Sequence, residues 1–481
     1  MSKQNADWTI LVYISADRAL TNFAIESLKQ LKRSTGGGII ALAQMEATGE
    51  VEAQRYVFDG SDDSNASIVN DLQPSICPAP GGIANPKNLT EFLKWASQYE
   101  SKHRCLFLWG HGYELLLNDD PTGIPKDSQS HPRNGDKPEG NIQDAASRNY
   151  LAPKNLKKAL EDAKPSIGRL DMIGIDACSM SLVELASELN DCGDFLIASQ
   201  EDVPDASFPY DQFLLKLQGF DRNDVEGVST AIPRLYAEAY QDYVIAPGTG
   251  MKEVTLSSLR LKNINTVTEP LSRLAAALLS SASDPVIRKA ILAARKAARD
   301  FALGLFVDLR DFCLQLSVNL DEGELRSACE DVRHAIDARG QMNCIVADEN
   351  GKGASSHCHG LSIYFPYLAQ TELDQVRESL ISATSGVDQA PLLLKGGTNH
   401  ILKARSVQVS QIEDDFESLT VFKKTGWSGF IKHGWSVILA SEEPNEIDEH
   451  YCGQRCAINL LSLLRESQQP SQQMAAVAAK Y

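Results

Sequence analysis

Positive charge is what this sequence has least of. Its 46 Lys and Arg stand against 64 Asp and Glu, a formal net charge of −18. A nucleic-acid-binding surface neutralises phosphates with clustered cations, so no nucleic-acid partner is expected. Long apolar runs are missing too. None approaches the roughly 20 residues that cross a bilayer, and no membrane partner is expected. The start, Met1-Ser-Lys-Gln-Asn-Ala-Asp7, lacks the basic and apolar segments of a secretory signal. The ten cysteines lack the spacing of a disulfide framework, which in a long chain predicts reduced thiols and a cytoplasmic location. Zinc-site spacing is absent around His357-Cys358-His359 and around His450, Cys452 and Cys456. Asp59-Gly-Ser-Asp-Asp63 has no glutamate where an EF-hand would close. No cofactor is therefore expected. There is no solenoid repeat either, and His103, His131 and His334 read as surface residues.

What is present is the composition of a globular protein, 43% hydrophobic and 23% charged. The length allows two or three domains, or one large core with an appendage. Thr9 to Ser15, Ile39 to Met45, Cys105 to Trp109, Arg169 to Asp176 and Phe195 to Ala198 are short apolar runs of buried strands. Helical spacing over Asp17–Lys32, Asn88–Tyr99, Asn155–Ala163 and Ser181–Leu189 separates them, as in a parallel α/β sheet. Glu52–Phe58 reads as an edge strand. The alternating run Met251–Leu259 reads as a strand bordering solvent. Beyond Lys262 four helices are predicted, over 267–279, 286–301, 307–318 and 324–338. Strand-like runs follow at 343–347 and 360–365. A last helix is expected near 457–464, before a Gln-, Ser- and Ala-rich tail.

Two strand ends carry reactive groups. One apolar run ends in Trp109-Gly-His-Gly112, another in Asp176-Ala-Cys-Ser179. Ligands of an open α/β sheet bind beyond the carboxyl ends of its strands. A Cys–His pair is the kit for thiol nucleophilic catalysis, with imidazole as base and then as acid. Cys178 is expected beside a helix N-terminus, which would favour its thiolate. Gly112 lets backbone approach a substrate, and its N–H with that of Cys178 forms a candidate oxyanion hole.

Further segments fall in order around that pair. They are Trp8-Thr-Ile-Leu-Val-Tyr-Ile-Ser-Ala-Asp17, Asn88 to Trp95, Leu106 to Gly112, Asp176 to Met180 with Val183-Glu184, and Ala198-Ser-Gln-Glu201. Gly360-Leu-Ser-Ile-Tyr-Phe-Pro366 is a fainter echo. In this combination the chain resembles the clostripain family of cysteine peptidases, in the clan of caspases, legumain, gingipains and separase. The resemblance covers roughly residues 8–260. It implies a caspase-like α/β/α sandwich with a mostly parallel central sheet. It also implies an endopeptidase with the dyad His111 and Cys178, cutting after Arg and less so after Lys. Asp176 matches the family's acid two before the nucleophile. A carboxylate there would take a guanidinium bidentately; capping the following helix is the alternative. Glu201 and Asp205 could add charge to that pocket, or be solvated loop carboxylates. Some family members mature by self-cleavage between His and Cys. The polar stretch 119–150 offers Lys126, Arg133, Lys137 and Arg148 as cut sites, Arg148 first; an uncut lid is the other reading. Calcium dependence occurs in the family, so an acidic loop site for calcium stays open. Ser179 departs from the family, where a large apolar residue is usual.

The expected organisation is a peptidase domain over 1–260, a mainly helical domain with a few strands over 261–405, and an extension over 406–481 that could bind a partner. Expected partners are protein substrates with exposed Arg or Lys sites and a regulatory protein. Two rival functions remain: an inactive caspase-like scaffold, and a thiol amidase or acyl transferase acting on small molecules.

Overall fold

The computed structural model describes residues 6–16, 20–47, 52–61, 67–77, 79, 85–113, 116–118, 150–221, 223–243, 254–301, 306–351, 357–365, 419–435 and 437–438. Strand β1 (Ala6–Ala16) is an interior strand of the eight-stranded main sheet, and its side chains alternate between two cores. Leu11 and Tyr13 enter one core, while Ile10, Val12 and Ile14 enter the other. Such two-sided burial is why the run is almost unbroken in apolar residues. Two further strands in sequence, β2 (Ile39–Ala47) and β3 (Gln54–Phe58), extend the sheet on one side of β1. On the other side lie β4 (Ser101–Trp109), β8 (Leu170–Asp176), β9 (Gly193–Ala198), β10 (Thr255–Arg260) and β13 (Ile345–Asn350).

The five central strands run parallel, and only β3, β10 and β13 are antiparallel to their neighbours. Helix α1 (Thr21–Ser34), α5 (Tyr210–Gly219) and α6 (Val225–Ala239) cover one face. Helices α2 (Pro86–Ala96), α3 (Pro153–Ile167) and α4 (Val183–Glu188) cover the other. The architecture is the expected α/β/α sandwich with a mostly parallel sheet. Helix α2 starts as its sequence dictates, with Pro86 in the first turn and the Asn85 side chain accepting from Lys87 N–H.

After residue 260 the chain is mainly helical: α7 (Asn265–Ser281), α8 (Pro285–Ala297), α9 (Leu309–Ser317) and α10 (Glu324–Asp337). Two expected helices are shorter than their apolar pattern. Residues Asp300–Phe301 (β11) pair with Phe306–Asp308 (β12), which pairs in turn with Ser362–Tyr364 (β14), in a small antiparallel sheet instead. The solvent border expected for β10 is absent. All six of its residues are buried, because β13 arrives from some 90 positions downstream to become the edge. Local alternation cannot foresee a distant covering strand.

One hydrophobic core runs from Leu11 through these helices to Ile438. Near its end, Phe365 packs edge-on against Trp427, Phe430 and Trp435 at 4.7 to 5.5 Å between ring centroids. The Trp427 indole N–H donates to Tyr364 O at 2.8 Å. The described part of the 406–481 extension thus lies in the core, and the expected helix at 457–464 falls outside the described residues. No described helix is long and apolar enough to cross a membrane.

Candidate active site

Strands β4 and β8 are parallel neighbours, with Trp109 opposite Asp176. His111 follows the one by two residues and Cys178 the other by two, so both leave the sheet at the same edge. Gly110 N–H ties the exits together by donating to Asp176 O at 3.2 Å. His111 begins β5 (His111–Tyr113), which pairs with β6 (Leu116–Asn118), and β6 pairs with β7 (Tyr150–Leu151). Gly112 lies against the nucleophile turn itself. A methyl group on it would sit 2.1 Å from Cys178 O and 2.5 Å from Cys178 N. Only glycine allows that approach.

Cys178 stands in a turn. Ser179 has φ +56°, left-handed backbone that a non-glycine residue rarely adopts. The turn is pinned by Ser179 N–H donating to Glu201 O at 3.1 Å. Met180 and Ser181 N–H both donate to Ser199 O at 2.8 Å. The helix expected at Cys178 begins only at Val183, with Leu182 at its cap and no side-chain capping bond. Two expectations therefore fall. Asp176 does not cap that helix, and the helix does not stabilise the Cys178 thiolate, since such effects fade within a turn. Burial pushes the thiol well above its ordinary range, and Asp202, Asp205 and Glu201 add to the rise. A weak bond from Val203 N–H to Sγ, at 3.4 Å, acts the other way.

Asp176 is buried at the end of β8. Its Oδ2 accepts from the Ser207 hydroxyl, from Phe208 N–H at 3.1 Å and from the Tyr210 hydroxyl at 2.9 Å. Burial raises its pKa to about 6 against the pull of those three bonds. The carboxylate thus anchors the chain from Ser207, itself left-handed at φ +69°, to the start of α5. Glu201 is buried as well and ion-paired with Arg299, while its Oε1 accepts from Asp202 N–H at 3.2 Å. Its charge is compensated within the chain rather than presented to a pocket. Asp205 is exposed on the loop after β9. Lys126, Arg133, Lys137 and Arg148 lie outside the described residues.

His357 and His359 have partners no local pattern could supply. Nδ1 of His357 lies 3.2 Å from Asp311 Oδ1, and Nδ1 of His359 lies 3.1 Å from Asp308 Oδ1. His103 is no bare surface residue: it lies 2.9 Å from Asp171 and stacks at 4.8 Å on Trp8. Among the described residues no group of three or more His, Cys, Asp or Glu could hold a metal ion. Asp59 accepts from both N–H and hydroxyl of Ser61; residues 62–66 lie outside the described set. Missed altogether from sequence were Arg299, Asp308 and the Ser207–Tyr210 segment, which reach the site only through long-range folding; Gln200 fell within the Ala198–Glu201 segment but was given no role of its own.

A parallel-centred α/β/α sandwich, with a thiol and a histidine leaving adjacent strand ends, defines a caspase-like class of protein. The model of the Clostripain family, peptidase C11, matches residues 12–435, and the chain belongs to that family of cysteine peptidases. No curated protein matches it. Among solved structures, an inactive zymogen C11 protease from Parabacteroides distasonis is 16% identical. The match covers 88% of this chain and 99% of that one, with a TM-score of 0.52. A secreted C11 cysteine protease from Bacteroides thetaiotaomicron, iotapain, is 14% identical over 75% of this chain and 93% of its own, with a TM-score of 0.51. A secreted C11 cysteine protease from the same organism, bound to an irreversible peptide inhibitor, is 17% identical over the same shares, with a TM-score of 0.50. At such identities the likeness is one of fold.

Proposed function

We propose that the chain is an endopeptidase in which Cys178 is the nucleophile and His111 the general base and acid. The observation that carries this is the Trp109–Asp176 register together with the backbone contact of Gly112 on Cys178. The imidazole takes the thiol proton as sulfur attacks the scissile carbonyl. The N–H groups of Gly112 and Cys178 receive the developing oxyanion. Imidazolium then protonates the leaving amine, and water hydrolyses the thioester.

Substrate preference is for Arg, and less for Lys, before the cut bond. The acidic surroundings of Cys178 support it, since a cationic side chain would relieve the repulsion that Asp202 and Asp205 impose on a thiolate. Asp176 remains the candidate reader of that side chain through Oδ1, with Oδ2 already engaged, and Asp205 is the exposed acid that would assist it.

The chain is synthesised latent and cuts itself within 119–150, Arg148 being the first candidate. A protonated Cys178 thiol is the state expected of a latent enzyme. Asn118 and Tyr150 are also paired neighbours in β6 and β7, so a cut between them would leave both ends held. The stretch after 260 serves as a buttress, supported by β13 and by the bridge of Leu182 to Ser362. The extension over 406–481 is the candidate for binding a regulatory partner. Eight free cysteines among the described residues accord with a reducing cytoplasm.

Mass spectrometry of the purified protein beside a Cys178→Ala variant, with peptides carrying Arg, Lys, Asp or Leu before the scissile bond, tests all of this together. Folded wild type that cleaves none of the peptides, and remains intact as the variant does, would falsify the proposal.

A further inference from the structure

The geometry points to Gln200 as the positioning residue of the nucleophile turn, welding it to the helical part of the chain through Asp308 and β14. The role deepens the peptidase reading and rests on it. Gln200 is 2% exposed. Its amide nitrogen donates to Asp308 Oδ2 at 2.9 Å and to Ser362 Oγ at 2.8 Å. Its amide oxygen accepts from Gly360 N–H at 2.7 Å. A carboxylate accepts and a backbone N–H donates, so these partners fix which way the amide faces.

Asp308, wholly buried, accepts four bonds: from Gln200, from His359 N–H at 2.7 Å, from Asp311 N–H at 2.7 Å, and from the His359 ring. The Gln200 backbone N–H donates to Thr255 Oγ1 at 3.2 Å in β10. Three elements from residues 255 to 362 thus converge on one residue, two of them on its side-chain amide and one on its backbone N–H. On either side of Gln200 stand the two carbonyls, of Ser199 and Glu201, that hold the N–H groups of Ser179, Met180 and Ser181. From the far side, Ser181 Oγ meets Gly360 O at 2.6 Å, and Ser362 N–H donates to Ser181 O at 2.9 Å. Gln200 therefore sets where residues 199–201 lie, and these set where the turn holds Cys178. Gln200 touches no substrate. It acts by holding the sulfur at the attack geometry, so its loss should fall on kcat rather than on KM.

The test uses full-length wild type, Gln200→Glu, Gln200→Met and Ser362→Ala. Readouts are kcat and KM on an arginyl peptide, the rate of labelling by a peptidyl-arginine chloromethyl ketone, and thermal melting. Both Gln200 single variants are expected to lose about 10- to 100-fold in kcat with KM within about threefold. The milder Ser362→Ala, which removes one acceptor and remains folded, should lose a few-fold. Two results overturn the role: Gln200 variants that keep kcat within about twofold, or losses that merely follow melting temperature while the labelling rate of the folded protein stays at the wild-type value. Wild type that neither hydrolyses the peptide nor takes the probe sinks the peptidase reading, and this role with it. Wild type that does both isolates any failure to Gln200.

Discussion

Gly112→Ala is the sharpest probe of the candidate site. The added methyl would lie 2.1 Å from Cys178 O, 2.5 Å from its N and 2.9 Å from its carbonyl carbon. All three are backbone atoms of one residue, so no side chain can swing aside. Ordinary contact needs the two segments to part by roughly 1 Å, and a misplacement of that size costs about 100-fold in rate, or ~2.7 kcal/mol of transition-state stabilisation. The neighbouring Gly110→Ala supplies the control. Its methyl would meet Ser15 O at 3.2 Å and Ser15 Cβ at 3.3 Å, a gap that a few tenths of an ångström relieve, so a loss under about 10-fold is expected. Gly174→Ala separates folding from chemistry. Its methyl would strike the Phe107 ring at 2.4 Å within the sheet, which should lower the melting temperature through about 1–3 kcal/mol of overpacking. The assay is kcat/KM on an arginyl peptide, corrected by titration of reactive thiol, beside thermal melting. A Gly112→Ala protein that melts normally and keeps activity within about threefold of wild type would refute the close approach. So would two folded alanine variants, at 110 and 112, of equal activity.

Other consequences follow from the same geometry. Glu184 is wholly buried, with Oε1 accepting from Tyr364 N–H at 2.8 Å and Oε2 without a hydrogen-bond partner among the described residues, and burial raises its pKa from 4.5 to about 7. Below pH 4.5 both folded and unfolded chains hold the proton. As pH climbs towards 7 the unfolded chain alone releases it, so this group's contribution to stability is lost through that window, by up to about 3 kcal/mol. Glu184→Gln should therefore raise the urea midpoint at pH 8 and leave it unchanged at pH 4.5; equal shifts at both would contradict the assignment. Arg299→Met strips the partner from buried Glu201 and should destabilise by about 3–5 kcal/mol, with Glu201→Gln in the same chain recovering much of it. Asp205→Asn removes one charge that opposes the Cys178 thiolate, so the acid limb of kcat/KM should move to lower pH while preference for Arg over Leu falls. Asp176→Asn, if the residue reads arginine, should abolish that preference; loss of melting temperature with preference intact would make it an anchor only.

The sequence by itself determined the parallel strands and the placing of His111 and Cys178 at two of their ends. Parallel strands buried on both faces are written as unbroken apolar runs, and β1, β2, β4, β8 and β9 all lie where those runs fall. His111 and Cys178 were legible because strand ends of such a sheet form its ligand face, and because glycine beside histidine implies close backbone approach. Tertiary structure alone decided what surrounds them. That β10 is interior depended on β13, and that His359 belongs to Asp308 depended on a loop meeting a helix start some 50 residues away. The helix terminus expected at Cys178 was misjudged from the chain for the same reason. A strand end followed by a helical pattern suggests a helix terminus at Cys178, whereas the fold inserts the Ser179 turn and brings Asp202 and Asp205 across from β9. Periodicity records which face a residue turns inward. The charge and hydrogen-bond partners it then meets come from other elements, and only their packing fixes those.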